Sequence, residues 1–185
     1  MGNLINISGE YRNKDVVDNV IRYITRTRDN ETRLDDLRGY GAAGVGSYVS
    51  PQVMISRFKA VQNSYGIEYR GGRRILHEVF SITDREFTDM GRDIAIVNRL
   101  ASDLCLEYYR MGFQVVYAVH WDMEKKLHIH FAVNAVSYKT GKKINTFRKE
   151  NWYRENRFNS ILWGYCCPGT PFFDDEDLDA WAAEN

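Results

Sequence analysis

Two neighbouring segments of the chain, 113–121 and 127–136, alternate bulky apolar residues with smaller or polar ones. Successive side chains of a β-strand point to opposite faces, so this period of two predicts two strands. In both segments, FQVVYAVHW and LHIHFAVNAV, the odd positions carry the bulk. The five residues 122–126 suffice for a hairpin, which would place all the bulky side chains on one face. That face needs a cover of helices, and the chain is therefore predicted to be an α+β protein built on an antiparallel sheet.

The rest of the chain supplies candidates for the cover and for further strands. Apolar residues at spacings of three and four predict a long helix over 85–111, which would pack on the bulky face of the hairpin. The run 39–48 is rich in glycine and is predicted to be a loop. Further strands are predicted at 3–8 and 73–82, and further helices at 15–26, 50–64 and 149–163.

Composition limits the class of protein. The 185 residues, 44% of them apolar, suffice for one compact domain, and no run of 18 apolar residues suggests a membrane span. Three cysteines, two of them adjacent, do not form a disulfide framework, so a reducing, cytoplasmic setting is expected. Residues 174–185 hold six acids and no base, which leaves 25 basic and 19 acidic side chains in 1–173. We therefore predict a mildly basic domain over 1–165 and an acidic tail over 166–185.

Three of the four histidines of the chain fall on the second face of the predicted hairpin. A loop of five residues pairs His120 with His128, and His130 follows on the same face two residues later. Directly opposed side chains of this kind lie about 4.5–5.5 Å apart. A single histidine on a strand is usually structural, but three imidazoles converging on one point predict an open metal site.

The identity of that metal is left open by the residues. Zinc suits a site of three histidines, whereas Mn²⁺ or Mg²⁺ is expected if the metal polarises a phosphodiester.

Three segments resemble the motifs of the MobP-type relaxases of plasmids and conjugative elements, a family of HUH endonucleases. The segment HWDMEKKLHIHFAVN, which ends at Asn134, resembles their third motif, with the histidine–hydrophobic–histidine triplet at 128–130. The segment ILHEVFSITDREF is similar to their second motif, with His77 and Ser81 at matching places. The segment VIRYITR is similar to their first motif, in which Tyr23 holds the position of the nucleophile.

This resemblance implies a central antiparallel sheet with helices on one face and a three-histidine metal site on the other. It implies an enzyme that cuts one strand of DNA at an origin of transfer in a bacterial cytoplasm. In that reaction the tyrosine forms a 5′-phosphotyrosine with the help of a divalent metal, and the reverse reaction reseals the strand. Single-stranded DNA is the implied substrate, and accessory relaxosome proteins and a coupling protein are the implied partners.

Several other residues are candidates for supporting roles. A carboxylate is expected to orient one imidazole, and Asp122 and Glu78 are the candidates, although strand parity puts Glu78 on the face opposite His77 and Ser81. Phosphate contacts are expected from Arg22, Arg26, Arg28, Arg33, Lys139, Lys142 and Lys143. Trp152, Tyr153 and Trp163 would stack on bases or pack in the core, and Tyr40, Tyr48 and Tyr11 are substitutes for Tyr23 as nucleophile.

Two alternatives remain open at this point. Other HUH enzymes, such as replication initiators and transposases, carry the tyrosine downstream of the histidine pair, which would select Tyr153 or Tyr165. A non-catalytic DNA-binding module with a structural metal would bind oligonucleotides without cutting them.

Overall fold

The computed structural model describes residues 1–7, 9, 11–28, 34–46, 49–67, 71–121 and 127–170. These residues include a five-stranded antiparallel sheet with the strand order β1-β3-β5-β4-β2. The strands are β1 Asn3–Asn6, β2 Leu37–Ala43, β3 Ile75–Ser81, β4 Val115–His120 and β5 His128–Asn134. The helices are α1 Val16–Ile24, α2 Pro51–Ser64, α3 Asp84–Asp89, α4 Ile94–Arg110 and α5 Arg148–Cys166.

The bulky face of the sheet is covered by α3, α4 and α5, as the alternation in the hairpin predicts. Val115, Val119, Ile129 and Phe131 of the hairpin belong to one core cluster, which also contains the apolar stripe of α4. That stripe consists of Val97, Leu100, Ala101, Leu104, Cys105 and Tyr108, all of them buried. The predicted α+β class and the predicted helical cover are both confirmed.

The opposite face is not left open, because α1 and α2 pack on part of it. Small side chains there, Val116, Ala118 and Ala132, let the apolar residues of α1 and α2 approach the sheet and form a second core cluster. The histidine end of the hairpin lies beside this second cluster. We call this face of the sheet the site face. The packing of two helices on this face is not predicted by the sequence, which indicates a helical cover on the bulky face alone.

Strand β2 overlaps the first half of the glycine-rich run 39–48, so the prediction of a loop is wrong for 39–43. Its glycines allow a close approach to neighbours, since a Cβ on Gly41 would lie 2.7 Å from the hydroxyl of Tyr117. Pairing with β4 compensates for the weak strand propensity of glycine, and β2 forms an edge of the sheet.

The predicted helix over 85–111 is divided in two. A capping box between Thr83 and Glu86 begins α3, and the side chain of Asp93 caps α4. Between the two helices, Gly91 and Arg92 have φ angles of 69° and 55°, which an α-helix cannot contain. Among the described helices, none combines the length and the apolar character that a bilayer span requires.

Candidate metal centre

All four histidines of the chain lie together on the site face. His120 ends β4 and pairs directly with His128 of β5, which is the pairing that the hairpin predicts. His130 follows on β5, and His77 lies beside it on β3. The ring centroids of the three predicted ligands lie 4.5–5.5 Å apart. One nitrogen from each of these three rings lies within 4.8 Å of the others, a geometry compatible with a three-histidine site for a divalent metal.

Burial favours the neutral, metal-binding form of three of the four imidazoles. Burial lowers the pKa of His77 and of His120 to about 4, and the pKa of His130 is lowered further by burial and by the neighbouring imidazoles. At neutral pH these three rings are therefore uncharged, which is the form that binds metals. The Nε2 of His130 is buried and has no hydrogen-bond partner among the described residues. A metal ion would give this nitrogen a partner. The three histidines therefore fit the divalent metal that their arrangement implies.

His77 makes a hydrogen bond with His130 and thereby controls which nitrogen of His130 is free. The Nε2 of His77 lies 3.0 Å from the Nδ1 of His130. If His130 donates from Nδ1, its Nε2 keeps a lone pair for a metal. The Nδ1 of His77 lies 3.4 Å from the hydroxyl of Tyr11, which extends the chain of contacts by one residue.

His120 is oriented by the backbone and by an arginine. Its Nε2 lies 2.6 Å from the carbonyl oxygen of Ile24, so this nitrogen is the donor and carries the proton. Its Nδ1 lies 3.1 Å from Nη2 of Arg26. Because a guanidinium only donates, this bond uses the single lone pair of the neutral imidazole. A metal that binds Nδ1 must therefore displace the Arg26 hydrogen bond.

Arg26 is a component of the centre and is only 5% exposed. Its Nε and Nη2 donate to the two carboxylate oxygens of Asp36 at 2.8 and 2.6 Å, and its Nη1 donates to the carbonyl oxygen of Tyr23 at 3.0 Å. The hydrogen-bonding groups of Arg26, which is predicted to contact phosphate, are thus engaged within the protein. Arg26 links the end of α1, where Tyr23 lies, to the candidate ligand His120.

Tyr23, the predicted nucleophile, lies at the margin of the histidine cluster. It is the penultimate residue of α1, and its ring centroid lies 5.8 Å from that of His130 and 6.2 Å from that of His77. The guanidinium carbons of Arg26 and Arg28 lie 5.0 and 4.9 Å from the centroid of the Tyr23 ring. The end of α1 and the residues after it thus bring a phenol and two guanidinium groups close to His77 and His130.

The other predicted phosphate contacts are distributed over two regions. Arg28 lies beside Tyr23, and Arg22 on the same helix donates to Gln52 of α2. Lys139, Lys142 and Lys143 follow the end of β5, whereas the candidate ligands His128 and His130 lie at or near its beginning. Arg33 lies outside the described residues.

Glu78 is not the carboxylate that orients an imidazole. Its side chain is fully buried on the helix-covered face, where Arg154 of α5 pairs with it at 2.9 Å and Tyr108 of α4 donates to it. Strand alternation gives the reason, because His77 faces the site and its neighbour must face away. Among the described residues, a backbone carbonyl and a histidine orient His120 and His130 instead. Asp122, the other carboxylate candidate, lies outside the described residues.

Ser81 and Asn134 lie on the site face, but their side chains form hydrogen bonds with residues other than the three candidate ligands. Ser81 pairs with His128 across the strands, and its hydroxyl bonds to the backbone of Asn3. Asn134 is fully buried and bonds to Gln62 of α2 and to Gln114, so it fastens α2 to the sheet. We assign Asn134 a structural role on this geometry.

The alternative tyrosines differ in their distance from the cluster. The hydroxyl of Tyr11 contacts His77, whereas Tyr40 lies on edge strand β2 and is 41% exposed. Tyr48 lies outside the described residues. Tyr153 and Tyr165 belong to α5, on the opposite side of the sheet, as do Trp152 and Trp163. The rings of α5 are therefore remote from the histidine cluster.

Sequence reasoning missed Asp36, the carbonyl of Ile24, and the contact of Tyr11 with His77. The contacts of Asp36 and Tyr11 join parts of the chain that are distant in sequence, and no local pattern marks them. The sequence did contain one signal, since His77 is already a candidate from its motif and lies on a predicted strand.

Comparison with family models finds a match to the model described as "Relaxase: MobA/VirD2-like, nuclease domain", over residues 23–161. Comparison with curated proteins and with solved structures gives no significant match. The matched residues begin at Tyr23 and include β2 to β5 and all four histidines. Because this match covers most of the chain and confirms the resemblance seen in its motifs, the chain belongs to the relaxase family of MobA/VirD2-like nucleases, enzymes that nick DNA and bind it as a single strand.

Proposed function

We propose that this chain cuts and rejoins one strand of DNA at an origin of transfer, and that Tyr23 is its nucleophile. The observation that carries the proposal is the position of Tyr23, at the end of α1 and 5.8 Å between ring centroids from the predicted ligand His130. Of the alternative tyrosines in the described residues, only Tyr11 also contacts this cluster. Initiation of conjugative transfer or mobilisation is the role that such a reaction serves.

In the proposed reaction, the hydroxyl oxygen of Tyr23 forms a bond to the scissile phosphorus and the bond to the 3′-oxygen breaks. The phenol loses a proton and the leaving oxygen gains one, so the products are a 5′-phosphotyrosine and a free 3′-hydroxyl. The phosphodiester energy is kept in the covalent link, and the reverse attack by the 3′-hydroxyl reseals the strand without ATP. A tyrosine hydroxyl has an ordinary pKa of about 10 and needs assistance at neutral pH.

His120, His128 and His130 would hold the divalent metal. When bound there, the metal neutralises negative charge on the non-bridging phosphate oxygens. We propose Mn²⁺ or Mg²⁺ for this role, with Zn²⁺ as the alternative that the three imidazoles also suit. Arg28 would contact the phosphate as the phenol attacks, and the position of its guanidinium beside the Tyr23 ring supports this role.

The test is a nicking assay on a supercoiled plasmid that carries the origin of the same mobile element, with Mn²⁺ present. Wild type is expected to nick the plasmid and to form an adduct that mass spectrometry assigns to the peptide containing Tyr23. Tyr23→Phe is expected to abolish the adduct and His128→Ala to reduce nicking at least 100-fold, while Tyr40→Phe serves as the control. An adduct on a different tyrosine would refute the assignment of Tyr23.

The two alternative functions predict different results in the same assay. A replication initiator or transposase that uses Tyr153 or Tyr165 would give an adduct on α5, but this helix lies on the opposite side of the sheet. A non-catalytic module would bind oligonucleotides, lose its fold on removal of the metal and never nick. Relaxosome proteins and a coupling protein are the proposed partners in the bacterial cytoplasm.

A further inference from the structure

A second group of cations lies where β3 begins and β5 ends, a few residues from His77 along β3, and three separate parts of the chain contribute to it. Arg12 precedes α1, Arg73 and Arg74 precede β3, and Lys143 follows β5. Backbone and side-chain contacts gather them, since Nε of Arg74 donates to the carbonyl oxygen of Arg12 at 3.2 Å and Nζ of Lys143 donates to that of Gly71. We call these four residues the basic cluster.

Three side chains of the basic cluster donate hydrogen bonds to neutral partners. Arg74 and Lys143 donate to backbone carbonyls, and Arg73 donates to the hydroxyl of Thr146. None of the four forms an ion pair with an acid in the described part of the chain. Their mutual repulsion is visible at Lys143, whose pKa is lowered by burial and by the charges of Arg12 and Arg74. A group of unpaired cations is stabilised by an anion, and phosphates suit guanidinium groups in particular.

The backbone at Gly72 leaves room for the ammonium group of Lys143. Gly72 has a φ angle of 82°, and a Cβ on this residue would lie 2.4 Å from Nζ of Lys143. The ammonium therefore occupies space that any other residue at position 72 would fill. This close approach brings Lys143, which comes from the far end of β5, next to the segment that begins β3.

Tyr11 connects the basic cluster to the metal centre. Its carbonyl oxygen accepts a hydrogen bond from the backbone N–H of Arg74 at 2.9 Å, and its hydroxyl contacts His77, the partner of His130. The charge of Arg73 also acts on Tyr11, where it lowers the pKa that burial raises. A DNA strand that passes the metal centre would thus meet the basic cluster next.

We propose that Arg12, Arg73 and Lys143, supported by the largely buried Arg74, bind the phosphates of the DNA strand adjoining the scissile phosphate. The proposal rests on the proposed function and adds to it a contact surface on the His77 side of the metal centre, separate from Arg22 and Arg28 of the α1 side. Because it contacts phosphates and not bases, this surface would bind DNA of any sequence. It would keep the cut strand in place until the ends are rejoined.

The test measures the salt dependence of binding to a fluorescein-labelled dT20 oligonucleotide by anisotropy, in EDTA so that no cutting occurs. For single strands, each phosphate contact contributes about 0.7 to the slope of log K against log salt. The variant Arg12→Gln/Arg73→Gln/Lys143→Gln is expected to reduce the slope by about 2 and to weaken binding at least tenfold at low salt.

The matched control is Arg85→Gln/Arg92→Gln/Arg99→Gln, which removes the same charge from exposed positions of α3, α4 and the turn between them. Its slope is expected to equal that of wild type. If the triple variant of the basic cluster loses its fold by circular dichroism, Lys143→Gln alone is expected to reduce the slope by about 0.7.

An unchanged slope in the basic-cluster variant, or no binding of dT20 by wild type at low salt, would overturn this proposal. The nicking function is judged separately by the Tyr23 adduct. If wild type forms no adduct on Tyr23 but the basic-cluster variant shows the expected change of slope, the proposed nucleophile is refuted. The proposed role of the basic cluster then stands.

Discussion

Arg26 donates a hydrogen bond from Nη2 to Nδ1 of His120 across 3.1 Å, and this is the nitrogen of His120 that a metal would use. The other nitrogen is committed to the carbonyl of Ile24. Asp36 binds the same guanidinium through both of its oxygens and holds it in place. A divalent metal bound by His120 would therefore compete with the guanidinium for one lone pair, and we expect Arg26 to lower the affinity of the site.

Replacement of Arg26 is expected to strengthen metal binding. Arg26→Gln removes a donor from the His120 lone pair and a positive charge from the neighbourhood of the metal, so we expect Mn²⁺ to bind about tenfold more tightly or better. Isothermal titration calorimetry measures this directly. Arg28→Gln is the control, because Arg28 lies as close to Tyr23 but makes no contact with His120. Equal or weaker binding by Arg26→Gln would show that the competition does not exist.

Loss of His77 is expected to weaken metal binding without removing a ligand. His77 holds Nδ1 of His130, and loss of such an orienting partner typically costs 10–100-fold in metal affinity. We expect a reduction of this size for His77→Ala, measured by Mn²⁺ titration. Ser81→Ala changes a residue of the same strand that bonds to Asn3 instead, and it is expected to keep the affinity of wild type. If both variants bind Mn²⁺ equally well, His77 has no positioning role.

The metal ligands are predictable from the sequence because their geometry is local. The alternation of side chains and a loop of five residues determine that His120 faces His128, and no other part of the chain is needed. The same alternation puts the side chains of His77 and Glu78 on opposite faces of the sheet. Glu78 pairs with Arg154 on the helix-covered face. Tyr23 was located only through the resemblance of its motif.

The remaining parts of the centre depend on contacts between distant segments. Arg26 reaches Asp36 and His120 because α1 packs across the sheet, and no spacing in the sequence indicates this packing. The strand β2 was missed for a related reason, since its glycines indicate a loop until β4 provides a partner. Tertiary pairing outweighs local propensity in both cases.

The stability of the metal-free protein is expected to fall in mild acid. Burial lowers the pKa of His77 and of His120 to about 4, while both titrate near about 6.5 in the unfolded chain. Between these values the unfolded chain binds more protons, so the free energy of unfolding decreases as the pH falls from about 6.5 towards 4. Urea unfolding in EDTA at pH 7 and pH 5 is expected to show a loss of about 2 kcal/mol for each of these histidines. A free energy of unfolding that stays constant over this interval would contradict the burial of neutral imidazoles.

On the opposite face, the ion pair between Glu78 and Arg154 is expected to control stability and not metal binding. Both side chains are buried, and Tyr108 donates a further hydrogen bond to the carboxylate. Arg154→Met leaves Glu78 as an uncompensated buried charge, which typically costs 3–5 kcal/mol, on the order of the stability of a small domain.

The double variant Glu78→Gln/Arg154→Met removes both charges and is expected to regain much of that loss, since a buried ion pair is often replaceable by neutral side chains. Urea unfolding gives the free energies of unfolding, and Mn²⁺ titration of the folded variants is expected to give the wild-type affinity. Weak metal binding by the double variant would mean that Glu78 acts on the centre through strand β3, beside His77, and that the two faces of the sheet are not independent.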